Sequence, residues 1–292
     1  MEQKKVLLVD GMALLFRGYF ATAVHGNYMY NKEGIPTNGV HGFTKHMLKA
    51  VESFTPTHVI CCWDLGSRTF RTELFPAYKG NRSAPEEQMV PQFAMAREIT
   101  DGFGIPSIDA VNYEADDCLG TLACAYAEEA DVYILTGDQD MLQLANQKIQ
   151  IAIMKKGQGN YQLYNEATVK ELKGCHPDQL VDIKALMGDT SDNYPGVKGI
   201  GEKTALKLIQ EYQTIEGVLD NLALLPAGQR RKIEAELEML HLSRKLAAIR
   251  CDAPVSLPLE KAVWQADEKT AGDTLTRLGL NISIEQLMMG SR

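Results

Sequence analysis

The sequence predicts an α/β fold with a mostly parallel central sheet flanked by helices. Short apolar runs of strand length alternate with longer amphipathic segments over the first half of the chain. Strands that alternate with helices imply parallel pairing, with helices on both faces of the sheet. Three of the runs lead into an aspartate, at Asp10, Asp64 and Asp138. Because sites in such sheets lie outside the carboxyl ends of the strands, we expect these side chains to meet at one edge.

The individual elements follow from periodicity and turn residues. Strand-like runs are predicted at 5–10, 57–63, 105–108 and 132–135, with a hairpin of 149–154 and 161–164. Helices are predicted at about 13–21, 41–53, 85–102 (interrupted near Pro91), 118–130, 168–172, 178–187, 204–212, 215–222 and 228–249. Residues 257–292 are expected to form a packing tail.

Length and composition limit the class of protein. A chain of 292 residues with 45% hydrophobic and 23% charged residues can form a sizeable core and one or two domains. No apolar run suits a signal peptide or a bilayer span. The six cysteines form no Cys-x-x-Cys pair, so we expect reduced thiols in a cytoplasmic protein, with neither a disulfide framework nor a zinc site.

Acidic residues gather at both ends of one helix-then-strand unit, residues 113–140. Three open the helix, where the helix dipole favours anions, and two follow the strand: Glu114, Asp116, Asp117, Asp138 and Asp140. Two more lie in a glycine-rich loop, at Asp189 and Asp192. Carboxylates that share a site cannot all ionise unless cations neutralise them. Oxygen-only ligands select hard divalent ions, so the sequence predicts bound Mg²⁺ or Mn²⁺.

The net charge of −8 argues at first against a nucleic-acid partner. If nine of the 38 acidic residues belong to one metal pocket, 29 remain against 30 lysines and arginines. The rest of the surface is then close to neutral and can carry local basic patches.

One such patch is predicted in residues 66–85, where cations alternate with aromatic rings. The residues are Arg68, Arg71, Lys79 and Arg82 with Phe70, Phe75 and Tyr78. Cations hold phosphates and aromatic faces stack on bases, so this composition is typical of a surface for single-stranded nucleic acid. We therefore expect Arg71 to contact DNA. The alternative is a solvated loop with two aromatic rings in the core.

A second basic segment follows the acidic loop. Residues 196–201 form a glycine turn that opens a helix, and backbone N–H groups at such a place suit a phosphate. Lys198, Lys203 and Lys207 favour a DNA backbone as the ligand. A P-loop is disfavoured because Glu202 stands where its lysine is required and no apolar strand precedes the turn. A simple helix-capping turn remains the other alternative.

Three motifs are specific in combination: the acidic cluster, Tyr78-Lys79-x-x-Arg82, and Gly188-Asp189-x-Ser191-Asp192-Asn193-x-Pro195-Gly196-Val197-x-Gly199-Ile200-Gly201-x-Lys203-Thr204-Ala205. Together they closely resemble the bacterial 5′-3′ exonuclease family, which comprises the N-terminal nuclease domain of DNA polymerase I and stand-alone relatives and is kin to flap endonucleases. The resemblance covers about residues 5–249. No polymerase sequence follows, so it implies a stand-alone form.

The resemblance implies a PIN-like nuclease core over residues 1–185, with a helical arch at about 66–100. It implies a DNA-binding region of helix-hairpin-helix type over 186–292. The implied activity is two-metal hydrolysis of phosphodiester bonds at 5′ flaps, nicks and RNA-primed ends in DNA replication and repair. Implied partners are DNA with a 5′ flap, nick or single-strand/duplex junction, and RNA–DNA hybrid ends. A monomer at the nucleoid, with no membrane contact, is expected.

Residue roles carry over position by position. The first metal cluster is implied at Asp10, Asp64, Glu114 and Asp116, and the second at Asp138, Asp140 and Asp192. Asp117 and Asp189 match further acids of the bacterial branch. Lys79 and Arg82 match catalytic cations that steady the scissile phosphate. DNA contacts are implied for Tyr78, Lys79, Arg82, Gly196, Lys198, Gly199, Gly201, Lys203 and Thr204, with K⁺ at the turn from Gly199 to Gly201.

Two alternatives come from other functional classes. A DNA-junction binding protein without catalysis requires the basic segments but not the acids, so the full acidic set counts against it. A phosphatase-type hydrolase on an α/β sheet requires an Asp-x-Asp pair at the first strand, whereas Asp10 is followed by Gly11 and Met12.

Overall fold

The computed structural model describes residues 3–284, so the last part of the predicted tail, 285–292, lies outside the described residues. Six strands form one sheet: β1 (Lys5–Asp10), β2 (His58–Cys62), β3 (Ser107–Ile108), β4 (Asp131–Thr136), β5 (Ile149–Met154) and β6 (Tyr161–Tyr164). Their order is β3-β2-β1-β4-β5-β6. Only the last pair, β5 with β6, is antiparallel. The predicted mostly parallel sheet and its hairpin are confirmed.

Twelve α-helices lie within the described residues. They are α1 (Gly11–Ala23), α2 (Asn38–Phe54), α3 (Phe70–Leu74), α4 (Val90–Gly102), α5 (Ala115–Tyr126), α6 (Glu166–Lys173), α7 (Gln179–Met187), α8 (Glu202–Tyr212), α9 (Ile215–Asp220), α10 (Ala227–Ala235), α11 (Leu237–Ala247) and α12 (Glu268–Arg277). Short 3₁₀ helices occupy Gln139–Leu144, Leu222–Leu224 and Leu259–Lys261.

Two predicted helices differ from the observed ones. Pro91 does not interrupt a helix but lies in the first turn of α4. N–H groups in the first turn have no acceptor within the helix, so the N–H that proline lacks is not needed there. The single helix predicted over 228–249 is two helices, α10 and α11, which meet at Glu236. The backbone of Glu236 (φ −125°, ψ 25°) is outside the helical region, and this ends α10.

The sheet is covered on both faces because side chains alternate along each strand. In β1, Leu7 and Val9 pack with α1, α2, α4 and α12, whereas Val6 and Leu8 pack with α5. Helices α1 and α2 cross closely at two glycines. A Cβ added at Gly18 would lie 2.5 Å from the Gly39 carbonyl oxygen, so a larger residue there would separate the helices.

Helices α7–α11 surround a second apolar cluster, which includes Leu186, Val197, Ile209, Ile233 and Leu240. The predicted domain boundary at residue 185 stays a prediction. Within residues 3–284, none of the helices combines the length and the apolar character that a membrane crossing requires.

Candidate metal centre and nucleic-acid interface

The ends of three neighbouring strands position three aspartates as predicted. Asp10 is the last residue of β1, Asp64 follows β2 and Asp138 follows β4. The Asp10 carboxylate accepts hydrogen bonds from the Ala13 N–H (2.9 Å) and the Thr136 hydroxyl (2.8 Å). Burial, and then the charges of Asp64 and Asp138, raise the pKa of Asp10 to about 6 despite these hydrogen bonds. The three carboxylates therefore repel one another at one edge of the sheet.

Helix α5 brings further acids to the same edge. Asp64 accepts a hydrogen bond from the Ala115 N–H (2.7 Å), which ties the β2 end to the start of α5. Burial, and then the charges of Asp138 and Asp10, raise the pKa of Asp116 well above its ordinary value. We call Asp10, Asp64, Asp116 and Asp138 the sheet-edge group. Within it, burial and mutual repulsion favour the protonated forms of Asp10 and Asp116.

Glu114 and Asp192 are held together by the segment 77–82. The Lys79 ammonium donates to Glu114 (2.9 Å) and lies 4.0 Å from Asp192. Arg82 donates to the other oxygen of Asp192 (2.7 Å). The backbone N–H of Lys79 also donates to the Asp192 carbonyl (2.8 Å), with Lys79 at a φ of 52°. The two predicted catalytic cations are thus ion-paired with two of the predicted metal ligands.

Asp140 and Asp189 are joined by Lys184 of α7, whose ammonium contacts both carboxylates. Burial and the charge of Asp138 raise the pKa of Asp140 to about 6, against the lowering effect of Lys184. At Asp189, burial raises the pKa, but Lys184 and backbone hydrogen bonds lower it by more, and the pKa falls to about 2. We call Glu114, Asp140, Asp189 and Asp192 the cation-bridged group.

Lys184 and Thr136 also shape the site, although neither is among the residues predicted from the sequence. Lys184 could have been found because it lies on the helix that leads directly into the acidic loop, five residues before Asp189. Thr136 ends β4 two residues before Asp138 and donates to Asp10, so it links two strand ends.

Arg71 and Asp117 do not take their predicted places. Arg71 is 2% exposed and donates two hydrogen bonds to Asp117, at 2.7 and 2.8 Å. It also donates to the carbonyl oxygens of Leu246 and Ala248. Asp117, fully buried, further accepts from the N–H groups of Glu114 and Arg250. Arg71 as a DNA contact and Asp117 as a metal ligand are corrected to a buried ion pair beneath the site, because every polar atom involved has a protein partner.

Tyr78 and Gly196 are also buried rather than exposed to DNA. Tyr78 is 4% exposed, its ring packs with Tyr194, and its hydroxyl donates to Asp192 (2.9 Å). Gly196 has a φ of 62°, and a Cβ there would lie 2.2 Å from the Gly188 nitrogen. Gly196 therefore allows the two ends of the acidic loop, at Gly188 and Gly196, to lie in close contact, and it does not face a ligand. The predicted arch, residues 66–100, contains two helical segments, the five-residue α3 and most of α4. Met95, Ala96 and Ile99 of α4 belong to the hydrophobic core.

The remaining predicted DNA contacts lie at the start of α8. Lys198, Gly199, Gly201 and Lys203 are exposed, and Thr204 is half-buried. Gly201 caps α8 without a side chain, and space around it is open. The Gly199 carbonyl, predicted to help hold K⁺, accepts a hydrogen bond from the Lys232 ammonium of α10 (2.9 Å). This edge presents lysines together with helix N–H groups.

The donor chemistry fits divalent cations. Asp117 is the exception among the nine predicted ligands. Of the other eight carboxylates, some lack a lysine or arginine partner within the described residues, and the others share one with a second carboxylate. Raised pKa values at Asp10, Asp116 and Asp140 mark the charge that a bound cation would offset. Within residues 3–284, no three such side chains already stand in a geometry that could hold a metal ion. Lysines and arginines lie between the carboxylates of Glu114, Asp140, Asp189 and Asp192.

Comparison with known proteins identifies the fold and the family. Residues 5–174 match the family model of the 5′-3′ exonuclease N-terminal resolvase-like domain, and residues 175–270 match the model of the 5′-3′ exonuclease C-terminal SAM fold. The bacteriophage T5 5′-exonuclease, solved with divalent zinc ions, has the same fold (TM-score 0.72, 24% identity, 94% of this chain and 99% of that one). The catalytic core of Rad2, solved with a DNA substrate, also shares it (TM-score 0.61, 16% identity, 99% and 91%).

Relatives of higher identity are themselves nucleases or contain this region. A 5′-3′ exonuclease of Bacillus subtilis is 56% identical over 277 residues, which cover 95% of this chain and 94% of that protein. DNA polymerase I of Bacillus caldotenax is 40% identical over 91% of this chain, which spans only 30% of the polymerase. These matches favour a hydrolytic nuclease over a non-catalytic binding protein. The chain belongs to the 5′-3′ exonuclease family.

Proposed function

We propose that the protein hydrolyses phosphodiester bonds near 5′ ends of DNA, at flaps, nicks and RNA-primed ends, with two divalent ions, Mg²⁺ or Mn²⁺, in the acidic site. One observation carries the proposal: acids from three strand ends, from the start of α5 and from the loop before Pro195 meet at one edge of the sheet. When bound, such ions supply an activated water and stabilise the leaving 3′ oxygen.

The protein's own cations would complete the site. Lys79 and Arg82 reach the carboxylates of Glu114 and Asp192 and are only partly buried, so each can turn to an incoming phosphate. Preorganised cations of this kind offset the charge that develops during phosphodiester cleavage. The buried Arg71–Asp117 pair would hold the start of α5 in place beneath them.

The start of α8 would hold the duplex. Lys198, Lys203 and the N–H groups that follow Gly201 can bind consecutive backbone phosphates without reading sequence. A terminal nucleotide must leave the helix to reach the acids, which costs a few kcal/mol and favours frayed or flapped 5′ ends. DNA and RNA–DNA hybrid ends met in replication and repair, bound by a single copy of the chain, are the proposed partners.

A K⁺ ion at residues 199–201 is a secondary part of the proposal. The Lys232 ammonium donates to the Gly199 carbonyl, and a positive charge beside this oxygen supports the proposal. In Lys232→Ala, K⁺ would take that place, so duplex binding should depend more steeply on K⁺ at constant ionic strength. An unchanged dependence would remove K⁺ from the proposal.

The test is cleavage of a DNA duplex with a labelled 5′ flap in Mg²⁺, in Mn²⁺ and in EDTA. We expect products in both metals, none in EDTA, and a loss of products in Asp138→Ala. Asp273→Asn, an exposed acid on α12, is the matched control and should cleave normally. Flap binding without products in either metal, or full activity of Asp138→Ala, would refute the proposed hydrolysis.

A further inference from the structure

Two cysteines distant in sequence lie side by side on the surface. The sulfur atoms of Cys124, on α5, and Cys251, after α11, are 3.1 Å apart and share a hydrogen bond. Both residues are exposed, whereas Cys61, Cys62, Cys118 and Cys175 are buried. A disulfide bond is about 2.05 Å long, so the two sulfurs would have to approach by roughly an ångström to join.

Cys251 belongs to a segment, 248–253, that lies along α5. The Arg250 N–H donates to Asp117 (2.9 Å), and the Ala253 N–H donates to the Thr121 hydroxyl (2.9 Å). The carbonyl of Ala248 accepts from Arg71. These bonds hold the segment against the helix and keep the two thiols adjacent.

We propose that Cys124 and Cys251 form a redox modification site, at which a hydroperoxide converts the two thiols into a reversible disulfide that ties segment 248–253 to α5. The site is separate from the acidic edge. Cys124 lies about 15 Å along the helix axis from Glu114, at 1.5 Å per residue. Oxidation at the thiols therefore does not require access to the carboxylates.

The two thiols differ in reactivity. Sharing the hydrogen bond lowers the pKa of Cys124 to about 7 and raises the pKa of Cys251. Since the thiolate is the nucleophile, the lowered pKa favours Cys124 as the sulfur that reacts first. Burial raises the pKa of the thiols of Cys61, Cys62, Cys118 and Cys175, so these four are poor competitors.

The chemistry balances in two steps. The Cys124 thiolate attacks a peroxide oxygen, an S–O bond forms, the O–O bond breaks, and the leaving hydroxide takes up a proton to give water. Cys251 then attacks the sulfenic sulfur, the S–S bond forms, the S–O bond breaks, and the second hydroxide leaves with the Cys251 proton as water. The two sulfurs lose two electrons in total, and hydrogen peroxide gains them.

The experiment exposes the full chain to a small excess of hydrogen peroxide and measures intact mass, linked peptides and the melting temperature. We expect a loss of two hydrogens and one peptide pair joined at Cys124 and Cys251. The melting temperature should rise by about 5 °C or more, because the bond closes a long loop, and dithiothreitol should reverse it. Cys124→Ser and Cys251→Ser should each abolish the link, and Cys175→Ser should retain it.

Two results would overturn the proposed disulfide. Sulfinic or sulfonic acid at Cys124 with no linked peptide would overturn the proposal, as would a link that survives in Cys251→Ser. Labelling of the wild-type chain with N-ethylmaleimide before and after peroxide tests the same disulfide without variants. Loss of both exposed labelling sites, regained with dithiothreitol, supports the disulfide, and unchanged labelling overturns it.

Discussion

The sheet-edge group and the cation-bridged group carry the same kind of side chain but compensate its charge differently. Asp10 lies on a strand end and, among residues 3–284, has no lysine or arginine partner, so burial and its neighbours leave it with a raised pKa. Asp189 lies in a loop, pairs with Lys184 and has a lowered pKa. Asp10 can therefore exchange a proton for a metal ion, whereas Asp189 must first release the Lys184 ammonium group.

This difference follows from the elements that hold each group. Parallel strands fix Asp10, Asp64 and Asp138 at the sheet edge, because the strand ends cannot move without breaking the sheet, and the start of α5 holds Asp116 beside them. The loop before Pro195 and the segment 77–82 are free to form ion pairs with each other, through Lys79, Arg82 and Asp192. A rigid half and an adjustable half thus meet in one site.

The largest expected effect comes from the rigid half. Asp10→Asn should lower single-turnover cleavage of a 5′ flap by at least about a thousandfold, because it removes a charge that no other residue replaces. Asp189→Asn should cost about tenfold, since Lys184 already neutralises that carboxylate. Rates at saturating Mg²⁺ measure both, and Asp273→Asn serves as the control. Equal losses in the two variants would remove the distinction between the groups.

A second prediction concerns the buried ion pair under both groups. Arg71→Met leaves Asp117 charged, buried and unpaired, so the free energy of unfolding should fall by about 3–5 kcal/mol. Arg71→Met combined with Asp117→Asn should regain part of this loss. Urea unfolding measures both, and Arg68→Met, at a side chain 86% exposed, should change stability by less than about 0.5 kcal/mol.

The opposite outcome would restore the role that the sequence suggested. If Arg71→Met left stability intact and weakened DNA binding, Arg71 would be a DNA contact after all. That earlier interpretation arose because cations and aromatic rings alternate in residues 66–85, which is the composition of a surface. Composition cannot reveal that the Leu246 and Ala248 carbonyls, from the far end of the chain, cover this arginine.

The sheet and its acidic edge were predictable for a different reason. In a parallel sheet the position of a strand end follows from the sheet type alone, so Asp10, Asp64 and Asp138 could be placed together from local patterns. The pairing of Lys184 with Asp189, five residues later, is local, whereas its pairing with Asp140 depends on how α7 packs, which no local pattern encodes. The break at Glu236 was missed because neighbouring residues are all compatible with a helix.

The third prediction uses pH to test the carboxyls with a raised pKa, one in each group. The folded-state pKa of Asp10 and that of Asp140 are both about 6, above the ordinary value of 3.8, so the folded protein holds protons that the unfolded chain releases. Without metal, stability from these groups is therefore lost as pH rises from about 4 to 6, by an amount on the order of 2–3 kcal/mol for each group. Bound Mg²⁺ should restore it.

Thermal unfolding in Mg²⁺ and in EDTA measures this effect at pH 5 and pH 8. The gain from Mg²⁺ should be small at pH 5, where protons still compete, and larger at pH 8. Comparing the two conditions at each pH cancels the contribution of histidines, which changes in the opposite direction. Asp10→Asn should reduce the gain at pH 8. A gain that does not vary with pH would contradict the assignment of excess negative charge to Asp10 and Asp140.

The smallest effect is expected for the lysine of the adjustable half. Lys184→Met removes an ammonium group that competes with a metal ion for Asp140 and Asp189, so the apparent Mg²⁺ affinity should rise by about tenfold. Without metal the same variant should lose about 1–2 kcal/mol of stability, because the two carboxylates repel each other. Mg²⁺ titrations followed by melting temperature test both, with Lys269→Met, exposed on α12, as the control. If Lys184→Met instead weakened Mg²⁺ binding, Lys184 would position these carboxylates for the metal ion and would not compete with it.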